Sequence, residues 1–378
     1  MIAGHVGEGR QVDAARLRAS FATVSQHGEQ VPLFFFAALF VMYPQVRELF
    51  PASMAHVRGR LINALGRIVA NVDRIDEVAP FVAQLGRDHR KFAVVAEHYP
   101  AVGEALLATL QHFLGPDWTP ELAADWEEAY RLVAGTMVAA AAEADRYAPR
   151  WWNATVISHE RRTPDIAVLR VRPAVELPYR AGQSVAVETP LRPKLWRFLS
   201  PANAPRADGL IEFHVRLVDG GLVSTALVRS VAPGDSLRLG SPVGNRLTLD
   251  RAGSELVLLG GGTGIAPLRA LVEQVALDGG NRRVRLYFGA RTTREMYDLD
   301  LLRKLEREYP WLTVTVAASA QPGYPGPVGD IVDVAMRDDA CRYGDVYVSG
   351  SPEMIRGTVA TLVGADVPAD RIRFDEFQ

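Results

Sequence analysis

The sequence predicts a multidomain protein: an all-α domain, then an antiparallel β-barrel, then an α/β domain built on a parallel sheet. Residues 13–147 carry apolar side chains three and four positions apart, which is the helical period, and show no strand-like alternation. Short β-type runs separated by proline and glycine follow as far as residue 239, which favours a barrel. From residue 255 strand-like and helical runs alternate, as in a parallel sheet. We therefore predict domains at 1–150, 151–252 and 253–378.

The individual elements follow from the same patterns. In the first domain, helix faces are marked by spacings such as i, i+3, i+4, i+7 and i+8 at Leu61, Ala64, Leu65, Ile68 and Val69. Prolines fall near the predicted helix ends, where they are tolerated. The predicted barrel strands are 154–157, 166–171, 184–187, 211–217 and 236–239. The predicted α/β elements are strands 256–259, 284–288, 312–317 and 346–349 and helices 268–277 and 299–308.

Composition and charge exclude several functional classes. The 42 Lys+Arg and 44 Asp+Glu give a net charge of -2, which is unlike a strongly basic nucleic-acid or membrane-surface binder. The single cysteine, Cys341, excludes an intramolecular disulfide framework, a four-cysteine zinc site and a cysteine-ligated iron–sulfur cluster. We expect small-molecule substrates, with no nucleic acid, no membrane and no obligatory protein partner.

The sequence also favours a cytoplasmic location. The first thirteen residues have no apolar segment typical of a signal peptide. The longest apolar stretch, residues 33–43, has eleven residues, against the roughly 20 that span a bilayer. One cysteine also fits a reducing compartment.

A glycine-rich loop, Gly260-Gly-Gly-Thr-Gly-Ile-Ala-Pro267, lies between a predicted strand and a predicted helix. Glycines allow the backbone to approach a pyrophosphate, and a helix N-terminus supplies free N–H groups and a positive dipole end. The pattern is not the strict G-x-G-x-x-G fingerprint, so it indicates a phosphate-bearing ligand and not a particular nucleotide. The candidate contacts are Gly261, Gly262, Thr263, Gly264 and Ile265.

Two arginines follow the next predicted strand. An acidic residue there would favour the free ribose hydroxyls of NAD, whereas arginine tolerates a 2′-phosphate. Arg291 and Arg294 therefore favour NADPH. Two solvated surface arginines explain the pattern equally well, so NADH and NADPH both stay open.

Two segments of the predicted barrel, Trp196-Arg-Phe-Leu-Ser-Pro201 and the run from His214 to Ser224, resemble the flavin motifs of the ferredoxin–NADP reductase family. The resemblance implies that FAD contacts Arg197, Phe198, Leu199 and Ser200, and that its pyrophosphate lies at the turn formed by Gly221, Leu222, Val223 and Ser224. The family usually has tyrosine where this chain has Leu199. Leucine can pack against a flavin but cannot donate a hydrogen bond to it.

The C-terminal part carries two further similarities to that family. Ser349-Gly350, after the last predicted strand, resembles the segment beside the nicotinamide, with serine in place of cysteine. The ending Phe374-Asp-Glu-Phe-Gln378 resembles the terminal aromatic segment that covers the flavin. The resemblance implies that Phe377 is that aromatic and Asp375 the nearby acidic residue.

The helical domain resembles a bacterial globin. Leu85-Gly-Arg-Asp-His89 and the run from Ala96 to Leu107 are similar to the proximal side of the haem in flavohaemoglobins, the family in which a globin is joined to a flavin reductase. The resemblance implies a haem b held by His89, with Tyr99 and Glu143 supporting it. A carboxylate linked to the imidazole N–H would make the ligand more electron-donating.

The opposite side of the expected haem departs from the family pattern. Where the family has a tyrosine facing bound oxygen, this chain has Phe36, and the family's glutamine falls on Val57 or the adjacent His56. A pocket formed by Phe36 and Val57 has no donor for bound oxygen. Loss of such a hydrogen bond to a charged partner costs about 1.5–3 kcal/mol, so oxygen should leave faster.

These similarities imply an NAD(P)H-dependent oxidoreductase with haem b, FAD and NAD(P)H as cofactors. Electrons would pass from NAD(P)H through FAD to the haem, which with O2 would oxidise nitric oxide to nitrate. Peroxide, quinone or O2 alone as the acceptor is a second hypothesis, and a haem-based sensor is a third. Because a single cysteine allows no cysteine-ligated cluster, we expect FAD and haem to lie close together.

Overall fold

The computed structural model describes residues 12–249, 255–280 and 282–375. The chain divides into two compact units, residues 1–150 and 151–378. The predicted boundary at residue 252 lies outside the described residues, and the division into three domains stays a prediction. Along the described ranges, no helix is both long and apolar enough to cross a membrane.

The first unit is helical, as the apolar spacing predicts. Asp13 accepts a hydrogen bond from the backbone N–H of Arg16, and Thr119 accepts one from Leu122, so both side chains cap helix N-termini. Its α-helices are α1 (Ala14–Ser25), α2 (Gln30–Met42), α3 (Ala55–Ala70), α4 (Ile75–His89), α5 (Tyr99–Leu114) and α6 (Pro120–Asp145). Short 3-10 turns cover Pro44–Leu49, Arg90–Phe92, Ala96–His98 and Gly115–Asp117.

Helices α4 and α6 pack with their backbones close together at Gly86. A Cβ on Gly86 would lie 2.2 Å from the carbonyl oxygen of Met137, where no side chain fits. Val78, Val82 and Met137 form the buried cluster between these helices. Glycine at position 86 therefore brings the end of α4, which carries His89, against α6.

The second unit begins with a six-stranded antiparallel sheet. Its strands are β1 (Trp152–Arg161), β2 (Ile166–Pro173), β3 (Ser184–Glu188), β4 (Arg197–Leu199), β5 (Ile211–Arg216) and β6 (Ser236–Val243), and α7 (Leu222–Arg229) follows β5. The strand order is β4-β3-β6-β1-β2-β5. The two edges meet through an antiparallel bridge between Pro201 and Phe213, so the sheet is a nearly closed barrel. The predicted barrel is confirmed.

A five-stranded parallel sheet follows, in the order β11-β10-β7-β8-β9. Its strands are β7 (Leu256–Gly261), β8 (Val284–Ala290), β9 (Leu312–Ala318), β10 (Asp345–Ser349) and β11 (Ile372–Arg373), and its helices are α8 (Ile265–Leu277), α9 (Leu299–Glu308), α10 (Ile331–Arg337) and α11 (Pro352–Gly364). Strands β7 to β10 consist largely of buried residues, as expected for a sheet covered on both faces. The predicted α/β architecture is confirmed.

Substitution of Gly86 by alanine tests the packing of α4 on α6. We expect Gly86→Ala to lower the free energy of unfolding by about 1–3 kcal/mol, because its methyl group would overlap the Met137 carbonyl. Gly135→Ala, at an open position of α6, is the matched control and should be neutral or stabilising by up to about 1 kcal/mol. Denaturant unfolding followed by the helical circular dichroism signal measures both. Equal effects of the two substitutions would contradict the proposed contact.

Candidate functional site

The glycine loop favours glycine at two positions, one for its backbone conformation and one for lack of space. Strand β7 ends at Gly261, a single 3-10 turn covers Gly262–Gly264, and α8 begins at Ile265. Gly262 has φ +54°, in the left-handed region. A Cβ on Gly264 would lie 2.3 Å from the carbonyl oxygen of Ser349. Tight turn and helix N-terminus together form a cradle for a phosphate group.

The structure brings this loop together with Ser349 and Gly350. Strand β7 lies between β8 and β10, and Gly260 is the parallel partner of Ser349. The missing side chain of Gly264 leaves room for the Ser349 carbonyl and the Gly350 N–H. Strand β7, the first of the parallel sheet along the chain, thus has a neighbour on each side. Open α/β sheets bind ligands in the crevice at the carboxyl ends of such strands.

The loop contacts differ in what they can offer a ligand. Thr263 is partly exposed, so its hydroxyl can reach a ligand. Ile265 is fully buried in the core of the parallel-sheet half, so only its backbone N–H can take part. The predicted contact between the nucleotide and Ile265 therefore stays a prediction, and it concerns only the backbone N–H of Ile265.

The predicted flavin segment forms edge strand β4. It pairs antiparallel with β3, with Val187 opposite Arg197 and Val185 opposite Leu199. The guanidinium of Arg197 donates to the Trp196 carbonyl at 2.9 Å, and the hydroxyl of Ser200 lies 3.0 Å from that of Ser184. The four residues of this segment are only half-buried, so they can contact a flavin: Arg197, Phe198, Leu199 and Ser200.

The predicted pyrophosphate turn leads into α7. The Ser224 hydroxyl donates to the Gly221 carbonyl and accepts from the Val218 N–H, both at 3.1 Å. A Cβ on Gly221 would lie 2.5 Å from that hydroxyl. Leu222 is exposed and Val223 is buried, so the turn offers a phosphate its backbone N–H groups rather than its side chains.

Arg216, at the end of β5, is a candidate site residue that the sequence motifs did not indicate. Its guanidinium faces the glycine loop, because a Cβ on Gly262 would lie 3.2 Å from Nη1 of Arg216. It also lies within 3.4 Å of Asp165 and 3.6 Å of Glu295. The barrel thus adds a positive charge to the loop that the sequence indicates as a phosphate cradle.

The two arginines after β8 lie in a setting that the sequence argument did not foresee. Arg291 and Arg294 are both exposed, and Arg291 forms an ion pair with Glu295 at 2.8 Å. Although burial acts against it, hydrogen bonds from Arg291 hold the pKa of Glu295 below its ordinary value. Arg291 therefore carries an acidic partner, Glu295, in the segment where the sequence predicts a 2′-phosphate contact.

Asp375 lies beside the end of the barrel. Its carboxylate would be 3.3 Å from a Cβ on Gly244, and the Arg246 guanidinium lies over the ring of Phe374 at 5.5 Å. Burial raises the pKa of Asp375 to about 6, although Arg246 acts against the shift. The predicted flavin-covering residue, Phe377, lies outside the described residues.

In the first unit, His89 is the last residue of α4 and is half-buried. Its Nδ1 lies 2.6 Å from the carbonyl oxygen of Leu85, so the Nδ1–H tautomer donates to that carbonyl and leaves Nε2 as a ligand atom. Burial lowers the pKa of His89, which favours the neutral, metal-binding form. No cluster of three or more metal-ligating side chains occurs in the described parts of the chain. A single histidine ligand fits a haem iron.

The predicted support of His89 by Glu143 is wrong. Glu143 is exposed, and its carboxylate accepts a hydrogen bond at 3.1 Å from Arg146, three residues further along the same helix. The Nδ1 of His89 is already paired with the Leu85 carbonyl. Tyr99, in contrast, packs on the cluster around Met137 together with Leu85, and burial raises the pKa of its phenol.

The predicted opposite side of the haem is apolar. Phe36 is buried and its ring meets those of Phe40 and Phe50, with centroids 5.9 and 5.5 Å away. Val57 packs against the same core, and the side chain of His56 lies outside what the structure describes. A separate cavity of about 810 Å³ lies among apolar side chains of this unit, and neither His89 nor Phe36 lines it.

Family models match all three parts of the chain. The globin model matches residues 33–137, the model of the oxidoreductase FAD-binding domain matches residues 153–247, and that of the oxidoreductase NAD-binding domain matches residues 258–360. The order agrees with the helical unit, the barrel and the parallel sheet.

Similar proteins match either nearly the whole chain or only part of it. A flavohemoprotein of Rhizobium meliloti is 27% identical over 391 residues, which cover 96% of each chain. The ferredoxin–NAD(P)(+) reductase component of the naphthalene 1,2-dioxygenase system of Pseudomonas putida is 31% identical over 225 residues, covering 59% of this chain and 68% of that one. A flavohemoglobin structure from Malassezia yamatoensis, with bound FAD and heme, superposes with a TM-score of 0.77 over 97% of this chain and 98% of its own, at 18% identity.

Fold and site together define an NAD(P)H-dependent oxidoreductase with globin, FAD-binding and NAD-binding domains. The chain belongs to the flavohaemoglobin family, in which electrons pass from NAD(P)H through FAD to the globin.

Substitution of Gly264 by alanine tests the nucleotide cradle. We expect Gly264→Ala to raise the KM for NAD(P)H about tenfold or more, because the new methyl group must push the loop away from the Ser349 carbonyl. Gly357→Ala on α11, where a methyl group meets open space, is the matched control. Anaerobic flavin reduction at several nucleotide concentrations measures both. An unchanged KM in Gly264→Ala would argue against this loop as the binding site.

Asp375 predicts a pH-dependent stability. Because its pKa is raised on folding, the ionised carboxylate destabilises the folded state above pH about 6, and the effect is absent below pH about 4. We expect Asp375→Asn to raise the free energy of unfolding by about 1–2 kcal/mol at pH 8 and to leave it unchanged at pH 4. Asp370→Asn, at an exposed position, is the control. A gain of the same size at both pH values would contradict the burial of this carboxylate.

Proposed function

We propose that the protein is a nitric oxide dioxygenase: electrons from NAD(P)H would pass through FAD to the haem, where O2 would oxidise nitric oxide to nitrate. One NAD(P)H supplies two electrons, so two nitric oxide and two O2 molecules give two nitrate ions, NAD(P)+ and a proton. The observation that carries the proposal is a histidine with a free Nε2, His89, in the same chain as a phosphate cradle at Gly262–Gly264.

The chain's own residues have separate tasks in this proposal. His89 holds the haem, whose iron supplies O2 binding and one-electron chemistry. The Leu85 carbonyl fixes the orientation and the tautomer of the imidazole. Phe36 and Val57 keep water away from the opposite side. Tyr99 packs beside Leu85 and limits its movement.

The second unit supplies the electrons. The loop at Gly262–Gly264, with Ser349 and Gly350 against it, holds the nucleotide. The segment from Arg197 to Ser200 and the turn from Gly221 to Ser224 hold FAD, which accepts a hydride and releases electrons singly.

The apolar side formed by Phe36 favours a second candidate. With no hydrogen-bond donor from Phe36 or Val57, oxygen is held less strongly than in a pocket with a tyrosine. Reduction of another acceptor, such as peroxide, a quinone or O2 itself, would then compete with nitric oxide oxidation. A pure sensor has no need of the nucleotide cradle that Gly264 completes.

Nitric oxide turnover in the purified, haem-loaded protein tests the proposal. With NAD(P)H and O2 present, we expect nitric oxide to disappear with equivalent nitrate formed. Rapid flavin reduction together with reduction of a quinone or of peroxide, with nitric oxide untouched, would instead establish the second candidate.

Removal of His89 links this activity to the globin. His89→Ala should lose the haem Soret band and all nitric oxide turnover, while anaerobic flavin reduction by NAD(P)H stays within about twofold, because the ligand atom is gone but the reductase is intact. His112→Ala, at an exposed ring stacked on Phe34, is the matched control and should keep its haem. Retention of the Soret band in His89→Ala would show that another residue holds the iron.

A further inference from the structure

A buried polar network joins the barrel to the nucleotide-binding sheet. Its centre is Arg269 in the second turn of α8, whose side chain is 1% exposed. Its Nε donates to the Ala202 carbonyl at 2.8 Å, Nη1 donates to Asp298 at 2.8 Å, and Nη2 donates to Glu212. Ala202 and Glu212 belong to the barrel, whereas Asp298 follows β8 of the parallel sheet. One guanidinium therefore binds both halves of the second unit.

The network continues along β5. Glu212 and His214 are two residues apart, so their side chains lie on the same face of the strand. The Nε2 of His214 lies 3.0 Å from Glu212, and its Nδ1 lies 2.7 Å from the hydroxyl of Tyr297. Glu212 also accepts from Arg170 on β2 at 2.7 Å. We call Glu212, His214, Arg269, Tyr297 and Asp298 the β5–α8 network.

The buried charges of this network act on one another's pKa values. Although burial acts against it, the hydrogen bond with His214 and the charge of Arg269 hold the pKa of Glu212 well below its ordinary value. Burial likewise opposes the charge of Arg269, but the carboxylates of Asp298 and Glu212 raise its pKa. The Arg269 guanidinium and the Glu212 carboxylate are therefore ionised in the folded protein.

Stability alone does not explain such an arrangement. Burial of an ion pair costs desolvation, and apolar side chains of similar volume are often as stabilising. What three directional hydrogen bonds add is a fixed orientation of α8 on β5. Arg269 lies five residues after Gly264, about 8 Å along the helix axis. Strand β5 leads, five residues after Arg216, into the turn at Gly221.

We propose that Arg269 is a positioning residue for hydride transfer, holding the nucleotide loop in fixed register with the flavin-binding barrel. In that step a hydride, with both its electrons, leaves the dihydronicotinamide ring and joins the flavin, so the nucleotide is oxidised and FAD is reduced. Arg269 takes no part in the bond changes. It sets the distance between the two rings through the two halves of the protein that hold them.

Nucleotide binding and hydride transfer should depend on Arg269 to different degrees. The loop at Gly262–Gly264 and its contact with Ser349 lie within the parallel-sheet half, so the part of the nucleotide affinity that these residues supply does not depend on Arg269. The distance to the flavin does depend on it. Misplacement of reacting groups by about 1 Å can cost about a hundredfold in rate.

The chain offers a matched control across the same two halves. Arg206 of the barrel forms an ion pair with Glu273 on α8 at 3.0 Å, but the Arg206 side chain is 41% exposed. An exposed pair of this kind contributes little to fixed geometry. It joins the same two halves as Arg269, through a single carboxylate, and it differs from Arg269 in burial.

The experiment compares Arg269→Gln, Asp298→Asn and Arg206→Gln in the full-length, flavin-loaded protein. Stopped-flow absorbance gives the rate constant of flavin reduction at saturating NAD(P)H. The measurement is made with unlabelled nucleotide and with nucleotide that carries deuterium at the transferred hydride. Calorimetry with ADP-ribose gives a dissociation constant that requires no turnover. Asp298→Asn retains the shape of the side chain and removes one charge, so it serves where Arg269→Gln fails to fold.

We expect Arg269→Gln or Asp298→Asn to slow flavin reduction by about ten- to a hundredfold, with a retained deuterium isotope effect and an ADP-ribose affinity within about threefold of the unaltered protein. Arg206→Gln should change neither quantity more than about twofold. A rate constant of flavin reduction in the network variants equal to that of the unaltered protein would overturn the proposal. So would a loss of ADP-ribose affinity as large as the loss in that rate constant. The proposal rests on hydride transfer from NAD(P)H to FAD, and an unaltered protein that does not reduce its flavin would refute that step instead.

Discussion

The close backbone approach at Gly264 is the constraint on which the nucleotide-binding half depends. Parallel pairing of β7 with β10 places Gly260 beside Ser349, and the chain after each strand must then turn within the same small space. Only a residue without a side chain fits just before α8, because a Cβ on Gly264 would lie 2.3 Å from the carbonyl oxygen of Ser349. The loop, the start of α8 and the end of β10 are therefore one packed piece, and Arg269 joins that piece to the barrel.

Local patterns predicted most of the fold and the glycine loop. Helical period, strand alternation and glycine content are properties of neighbouring residues, so the sequence alone shows them. The β5–α8 network was not predictable in this way, because Glu212 and Arg269 are 57 residues apart and Asp298 follows Arg269 by 29. The only sequence signal was the alternation of polar residues along β5, which shows a shared face but not the partner of that face.

The error at Glu143 has the same origin. Helix α6 has 26 residues, and its period tells which residues share a face but not which of them approaches another helix. Arg146 lies one turn away and takes the carboxylate into a surface ion pair. The residue that does contact the imidazole of His89 is Leu85, through a backbone carbonyl that every residue type carries. No side-chain motif could have indicated it.

The two sides of the predicted haem site therefore depart from the family pattern in the same direction. A backbone carbonyl on the imidazole N–H of His89 donates less electron density to the ligand than a carboxylate would. On the other side Phe36 offers no hydrogen bond to O2. With His89 and Phe36 on the two sides of the haem, as we propose, both differences would weaken the hold on O2, and neither would affect the supply of electrons from the reductase half. Oxygen binding, rather than flavin reduction, is thus the step of the proposed electron path at which this globin would differ most from the family pattern.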